Sequence, residues 1–96
     1  MKIVILPSAR DDLSVGFEFY ERQDRGLGDY FLDSLLSDID SLKLFAGRHR
    51  RIFGVHRLLS QRFPYGIYYG INAETVYVKA VLDCRQDPAW IRKKLK

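Results

Sequence analysis

A single cysteine, Cys84, leaves no partner for an intrachain disulfide, so the chain cannot be a disulfide-stapled scaffold. One thiol and two histidines, His49 and His56, at unsuitable spacings exclude a structural zinc site. No apolar run approaches the roughly 20 residues that a membrane-spanning helix needs. Met1-Lys2-Ile3-Val4-Ile5-Leu6-Pro7 has an apolar run of only four residues, and Arg10, Asp11 and Asp12 follow it. It reads as an opening strand and not as a signal peptide. A lone thiol and no membrane segment lead to the expectation of a cytoplasmic protein. A Gly-rich phosphate loop is also missing, because Gly26 and Gly28 fall between two helical patterns instead of after a strand. With no repeat, linker or low-complexity tract, the 96 residues read as one domain, 1–96.

What is present is ordinary for a globular chain: 47% hydrophobic and 29% charged residues. A domain this small buries roughly 60–65% of its unfolded surface, so one thin core is feasible. The charges are segregated. Residues 1–46 carry five Lys/Arg and nine Asp/Glu, a balance of −4, whereas residues 47–96 carry eleven and three, a balance of +8. Such a split fits a face for a polyanion or acidic partner, or simply a solvated basic surface.

The hydrophobic period divides the chain in the same place. Lys2 to Leu6 is a β-branched run closed by Pro7, with Ser8 as the expected N-cap of a first helix. Ala9, Leu13, Phe17 and Tyr20 recur at helical spacing, while Val15 and Phe19 fall off that stripe and are expected to cover a neighbouring element. Arg25-Gly26-Leu27-Gly28 interrupts. A second helix is expected from Asp29 to Ala46, with Phe31, Leu35, Ile39, Leu42 and Ala46 as its stripe and Gly47 ending it. The two should fold back as an antiparallel hairpin. Beyond it, His56–Gln61, Tyr65–Ile71 and Thr75–Leu82 read as strands. In the last, Val76, Val78, Ala80 and Leu82 alternate with Tyr77, Lys79 and Val81. Asp87-Pro88 is an N-cap and first-turn proline opening a basic helix through Lys96. The order β-α-α-β-β-β-α implies an α+β domain: an N-terminal strand, a helical hairpin packed on a small antiparallel sheet, and a short C-terminal helix.

Chemistry-bearing residues are fewer. Nothing marks a Ser-His-Asp or Cys-His site, and His49 and His56 read as surface or strand-edge residues. What remains is cationic and aromatic: Arg48, Arg50 and Arg51 after the hairpin, Arg57, Arg62, Lys79 and Arg85 on the strands, and Tyr65, Tyr68, Tyr69 and Tyr77 among them. Guanidinium forks hold phosphates and tyrosine rings stack unpaired bases, so this face suits RNA binding or cleavage. The alternative is that half of the tyrosines are sheet core and the arginines a rim. No residue is a poised general base, so the reading leans away from an enzyme, and no cofactor or metal is expected.

Three segments in register carry a family resemblance. Arg62-Phe63-Pro64-Tyr65-Gly66-Ile67-Tyr68-Tyr69 resembles a signature of ParE-like toxins. The run from Val78 through Asp83-Cys84-Arg85-Gln86-Asp87-Pro88-Ala89-Trp90 resembles their closing strand and Arg-x-Asp-Pro ending. Ala9, Asp12-Leu13, Tyr20, Gly26-Leu27-Gly28 and Phe31 match the first half. The chain thus resembles the RelE/ParE toxin superfamily, nearer the ParE branch. The resemblance implies the toxin of a type II toxin–antitoxin, plasmid-stabilisation system, held inactive in a hetero-oligomer by a cognate antitoxin and inhibiting DNA gyrase. It places target contacts at Arg85, Trp90, Arg92, Lys93 and Lys94, and antitoxin contacts along Leu13, Phe17, Tyr20, Phe31 and Leu35. The alternative is a RelE-like, metal-independent endoribonuclease that cleaves mRNA, at the ribosome or free, with Arg57, Arg62, Lys79 and Arg85 around the scissile phosphate. RelE-type ribonucleases carry an arginine where this chain has Gly66 and a tyrosine in the closing helix, where it has Trp90. Asp83 replaces a histidine common in related toxins.

Overall fold

Pro7 sets the first junction, since its ring fixes φ and its missing N–H costs nothing in a first helical turn. The computed structural model describes residues 1–96. Strand β1 (Lys2–Ile5) leads into α1 (Pro7–Gln23), which is followed by α2 (Leu27–Asp40) and the one-turn α3 (Leu42–Phe45). Strands β2 (Arg51–Ile52), β3 (Val55–Leu59), β4 (Tyr65–Asn72) and β5 (Thr75–Asp83) come next, and α4 (Pro88–Lys94) closes the chain. The expected α+β order holds, with four refinements.

The second helical segment is broken. Ser41 donates its hydroxyl to the carbonyl of Asp38 at 2.6 Å, a back-bond that competes with the helix ladder and separates α3 from α2. A short β2, in a stretch that the sequence pattern reads as a connection, pairs antiparallel with β3. The sheet is mixed and not purely antiparallel: its order is β1-β5-β4-β3-β2, and β1 lies parallel to β5. The α1–α2 hairpin lies between those two strands in sequence, which is the long crossover that a parallel neighbour requires. Finally, Lys79 is an extra residue. Tyr68 pairs with Ala80 and Tyr69 with Val78, so the strand bulges and its side-chain parity switches. Val76 and Val78 face the helices together with Val81, while Ala80 and Leu82 face the other way.

Two cores result. The larger joins α1 and α2 to one sheet face through Ala9, Leu13, Tyr20, Phe31, Leu35, Ile39, Ile67, Tyr69 and the valines of β5. The smaller, on the opposite face, is Val55, Tyr68, Ala80, Leu82 and Ile91, the last anchoring α4. Within the larger core, Phe31 is fully buried, with Tyr20, Phe63 and Tyr65 around it at centroid distances of 5.1, 5.1 and 4.9 Å. Its ring lies on bare backbone: a Cβ at Gly16 would stand 2.5 Å from the ring's Cζ. Gly28 repeats the device in reverse, since a Cβ there would meet the ring of Phe17 at 2.9 Å.

The helix ends are served from outside the helices. Gly26 takes φ +89°, a region that costs glycine nothing, and it brings no capping side chain to α2. Glu21 of α1 supplies the cap instead, accepting from the amides of Gly26 and Gly28 at 3.0 Å each. A carboxylate there answers both the orphan amides and the positive helix end. Ser8 was expected to cap α1 but does not. Its hydroxyl donates to the carbonyl of Lys79 at 2.7 Å, and Asp12, one turn on, accepts from the amide of Val81 at 3.0 Å. Four helical residues rise about 6 Å. Two strand residues rise about 6.7 Å, so the two spacings match. Strand β1 ends opposite Val78, and α1 completes the next stretch of β5 with side chains.

Replacing Gly16 by alanine tests the seat of Phe31. Overpacking against a ring that cannot retreat costs about 1–3 kcal/mol. The gain in helix propensity is at most about 1 kcal/mol. A lower midpoint of denaturant unfolding is expected for G16A, and an unchanged or raised midpoint would show that the contact yields.

Candidate functional site

The tyrosines do not form an exposed stacking face. Tyr65, Tyr68 and Tyr69 are all buried, and only Tyr77 is half-exposed. Tyr69 is held by its hydroxyl, which accepts from the amide of Gly47 at 2.9 Å and lies 2.6 Å from Nδ1 of His49. His56 stacks on the Tyr69 ring and donates from Nδ1 to the carbonyl of His49 at 2.8 Å. Both histidines are thus spent on pinning the basic loop 47–50 to the sheet. Burial, and then the neighbouring His56, hold the His49 pKa below its ordinary value. In that neutral form the Tyr69 hydroxyl donates to Nδ1. Burial also pushes Tyr65 up to about 12, so it stays a neutral phenol.

The four cations expected around a scissile phosphate do not converge. Arg57 is half-buried on the sheet face that carries α4, its charge acting on the Tyr68 hydroxyl and the Cys84 thiol. Lys79 is exposed on the same face, where a Cβ at Gly70 would meet its Cε at 3.4 Å. Arg62 sits in the β3–β4 turn over the Tyr30 ring at 5.8 Å, lining a small hollow with Asp33 and Asp38 of α2. Arg85 folds back onto Asp83, with Nε–Oδ1 3.0 Å and Nη2–Oδ2 2.8 Å. This pairing holds the Asp83 carboxyl below the usual range and leaves Arg85 already charge-matched. The hollow that Arg62 lines contains none of the other three.

The expected target-binding residues divide over two sides of α4. Trp90 and Lys94 line a cleft of about 280 Å³ between α1 and α4, with Asp12, Val15, Phe19, Asp83 and Gln86 among its other walls. Val15 (70% exposed) and Phe19 (47%) thus border this cleft and cover no neighbouring element, contrary to expectation. Lys94 lies over the Trp90 ring at 5.4 Å. Arg92 and Lys93 point to the other side, toward Phe53. Arg85 stands beside the first cleft, paired with Asp83 and with its charge acting on Tyr20 and Tyr65.

Of the residues expected to meet an antitoxin, Tyr20, Phe31 and Leu35 are enclosed in the domain's own aromatic and aliphatic core. The helical stripe they belong to is the one the sheet itself covers. Phe17 and the edge of Leu13 remain accessible in a groove of about 430 Å³, with Ile5, Arg10, Leu32 and Leu36. The α1–α4 cleft was not read from the sequence. The signal for it was the pair Val15 and Phe19 off the buried stripe, together with Trp90 in a basic helix.

No helix is long and apolar enough to cross a membrane, and no three His, Cys, Asp or Glu side chains gather as a metal-binding group. No protein-family model matches the sequence, and no curated protein matches it. Among solved structures, the chain is similar to a chain of the chromosomal ParDE TA system from P. aeruginosa. The TM-score is 0.76 at 14% identity, over 84% of this chain and 92% of that one. The likeness is one of fold, and it includes the α+β arrangement described above.

The His49–Tyr69 contact has a pH signature. A histidine whose folded pKa is lowered binds fewer protons folded than unfolded, so its contribution is complete above about pH 6.5. It is lost as the pH falls from there through the lowered folded value. Wild-type Tm should therefore fall across that window, and His49→Gln should flatten the dependence. An equally steep fall in the variant would assign the effect to other groups.

Proposed function

We propose that this protein is the toxin of a type II toxin–antitoxin pair, acting by binding DNA gyrase and neutralised by a small cognate antitoxin. The observation that carries this reading is the fold shared with a chain of the ParDE system over 84% of one chain and 92% of the other. The sequence resemblance to ParE-like toxins points the same way. The site geometry favours a binder over a ribonuclease. Arg85 is matched by Asp83, and Arg62 stands apart against α2. A side chain at Gly66, where RelE-type ribonucleases carry arginine, would meet the Tyr68 ring at 3.1 Å. The strand is packed for the absence of that arginine.

Under this reading the groove at Leu13, Phe17, Leu32 and Leu36 takes an apolar segment of the antitoxin, and the α4 cleft with Trp90 and Lys94 meets the target. The second reading, the endoribonuclease, keeps one observation in its favour: Arg57 and Lys79 share a sheet face with Tyr68. Its cations would have to gather on substrate binding.

Induced expression in a bacterium without the antitoxin separates the two. Growth arrest with broken DNA and whole transcripts is expected, weakened by Trp90→Ala and unaffected in transcript integrity by Arg85→Ala. Cut transcripts that become whole with Arg85→Ala would move the assignment to the ribonuclease. Harmless expression would sink both readings. Antitoxin at a hundredfold excess over Kd should add about 2.7 kcal/mol of stability. An unmoved Tm at saturation would remove the antitoxin from the proposal.

A further inference from the structure

The tip of the β2–β3 hairpin breaks a local rule. Ile52 pairs with Val55, so Phe53-Gly54 is a two-residue turn, and both residues have positive φ, 53° and 82°. Such turns favour Asn-Gly, because a side chain with a Cβ is strained in the left-handed region and Asn tolerates it best. A phenylalanine there gains no core burial in return, since the ring is 42% exposed. Strain of this kind, repaid by no place in the core, points to a role for the side chain.

The ring has specific surroundings. Phe53 forms one wall of an open hollow of about 630 Å³, whose other walls are Pro88, Ala89, Arg92, Lys93 and Lys96. The Arg92 guanidinium lies over the ring at 6.0 Å. No acid lines the hollow, and the chain's two ion pairs, Lys43–Asp40 and Arg85–Asp83, involve none of its cations. Arg51, at the base of the turn, donates to the Gly54 carbonyl at 3.0 Å and adds a fourth positive charge. The sheet separates this surface from the helical hairpin, and nine of the twelve acidic residues precede residue 47.

We propose that Phe53 and the C-terminal helix form a contact surface for single-stranded nucleic acid. An unpaired base stacks on Phe53, and the flanking phosphates meet Arg92, Lys93 and Lys96. A duplex keeps its bases stacked within itself and would leave the ring unused. An acidic peptide would use the cations without needing an aromatic held in a strained turn. The proposal is independent of the toxin reading, because neither antitoxin nor gyrase enters its test.

Full-length protein is titrated against a fluorescent oligothymidylate of about 12 nucleotides, within the usual span of single-strand sites, by anisotropy at several salt concentrations. Phe53→Asn suits the turn better than phenylalanine does, so its Tm should hold or rise while affinity falls about fivefold or more. Lys93→Ala and Lys96→Ala should each reduce the log–log salt slope by about 0.7. Wild-type affinity retained in F53N would overturn the proposal, as would no binding at low salt. A duplex of equal length bound as tightly, or polyglutamate competing equally charge for charge, would overturn it too.

Discussion

Phe31 can be fully buried only because α1 offers it a stretch of bare backbone at Gly16. From that seat the ring reaches Tyr20 on its own side and Phe63 and Tyr65 on the sheet side, so one residue of α2 touches every layer of the larger core. The approach of the two helices, the position of the β3–β4 turn that carries Phe63, and the burial of Tyr65 all follow from it. The reciprocal contact of Phe17 over Gly28, one turn of α2 nearer the connection, seats the same crossing a second time. Two ring-on-glycine contacts therefore hold a helix pair whose connection is only a few residues long, and Gly16 lines the α1–α4 cleft while Phe17 lines the groove on the other side.

The charge pattern acquires meaning once the layers are known. The acidic half of the sequence is the helical hairpin, and most of the basic half is the sheet and α4, so the segregation along the chain becomes two unlike faces. Within the basic half the cations are not equivalent. Arg85 is matched by its own strand neighbour Asp83, Arg62 leans on Tyr30, Lys94 faces Asp12 across the α1–α4 cleft, and Arg92 and Lys93 make no ion pair. A count of basic residues gives the net sign of a face. Only the pairing shows which charges remain for a partner, and the closing helix and the tail after it keep a cluster of them in Arg92, Lys93 and Lys96.

Much of this architecture was legible because period and punctuation agreed. Pro7, Gly26, Gly47 and Pro88 stand at element boundaries, and the stripes Ala9-Leu13-Tyr20 and Phe31-Leu35-Ile39 are the buried ones. The Asp87 cap was also readable, and its carboxylate accepts from the amide of Ala89. What stayed hidden depends on contacts distant in sequence. The parallel pairing of β1 with β5, the bulge at Lys79 and the diversion of Ser8 to β5 have no local signature. The same holds for the candidate sites. The family resemblance implied that Tyr20, Phe31 and Leu35 would meet a partner, but apolar residues on a stripe go first to the domain's own core, and the sheet claims them. Exposed Val15 and Phe19 were visible as off-stripe residues, yet their neighbour Trp90 comes from the far end of the chain.

The completion of β5 by Ser8 and Asp12 bears on how this molecule avoids sticking to itself. A strand edge with free amides and carbonyls is a template on which another chain can grow. Along the stretch of β5 beyond β1, the amide of Val81 is already spent on a carboxylate and the carbonyl of Lys79 on a hydroxyl, and a helix stands where a foreign strand would have to lie. Growth at that flank is limited to the outer side of a four-residue β1, and at the opposite flank to a two-residue β2 and the short end of β3 that it leaves uncovered. A five-stranded sheet thus ends on both sides in strands too short to nucleate a fibre, and its longest strand, β5, has its exposed flank closed to addition.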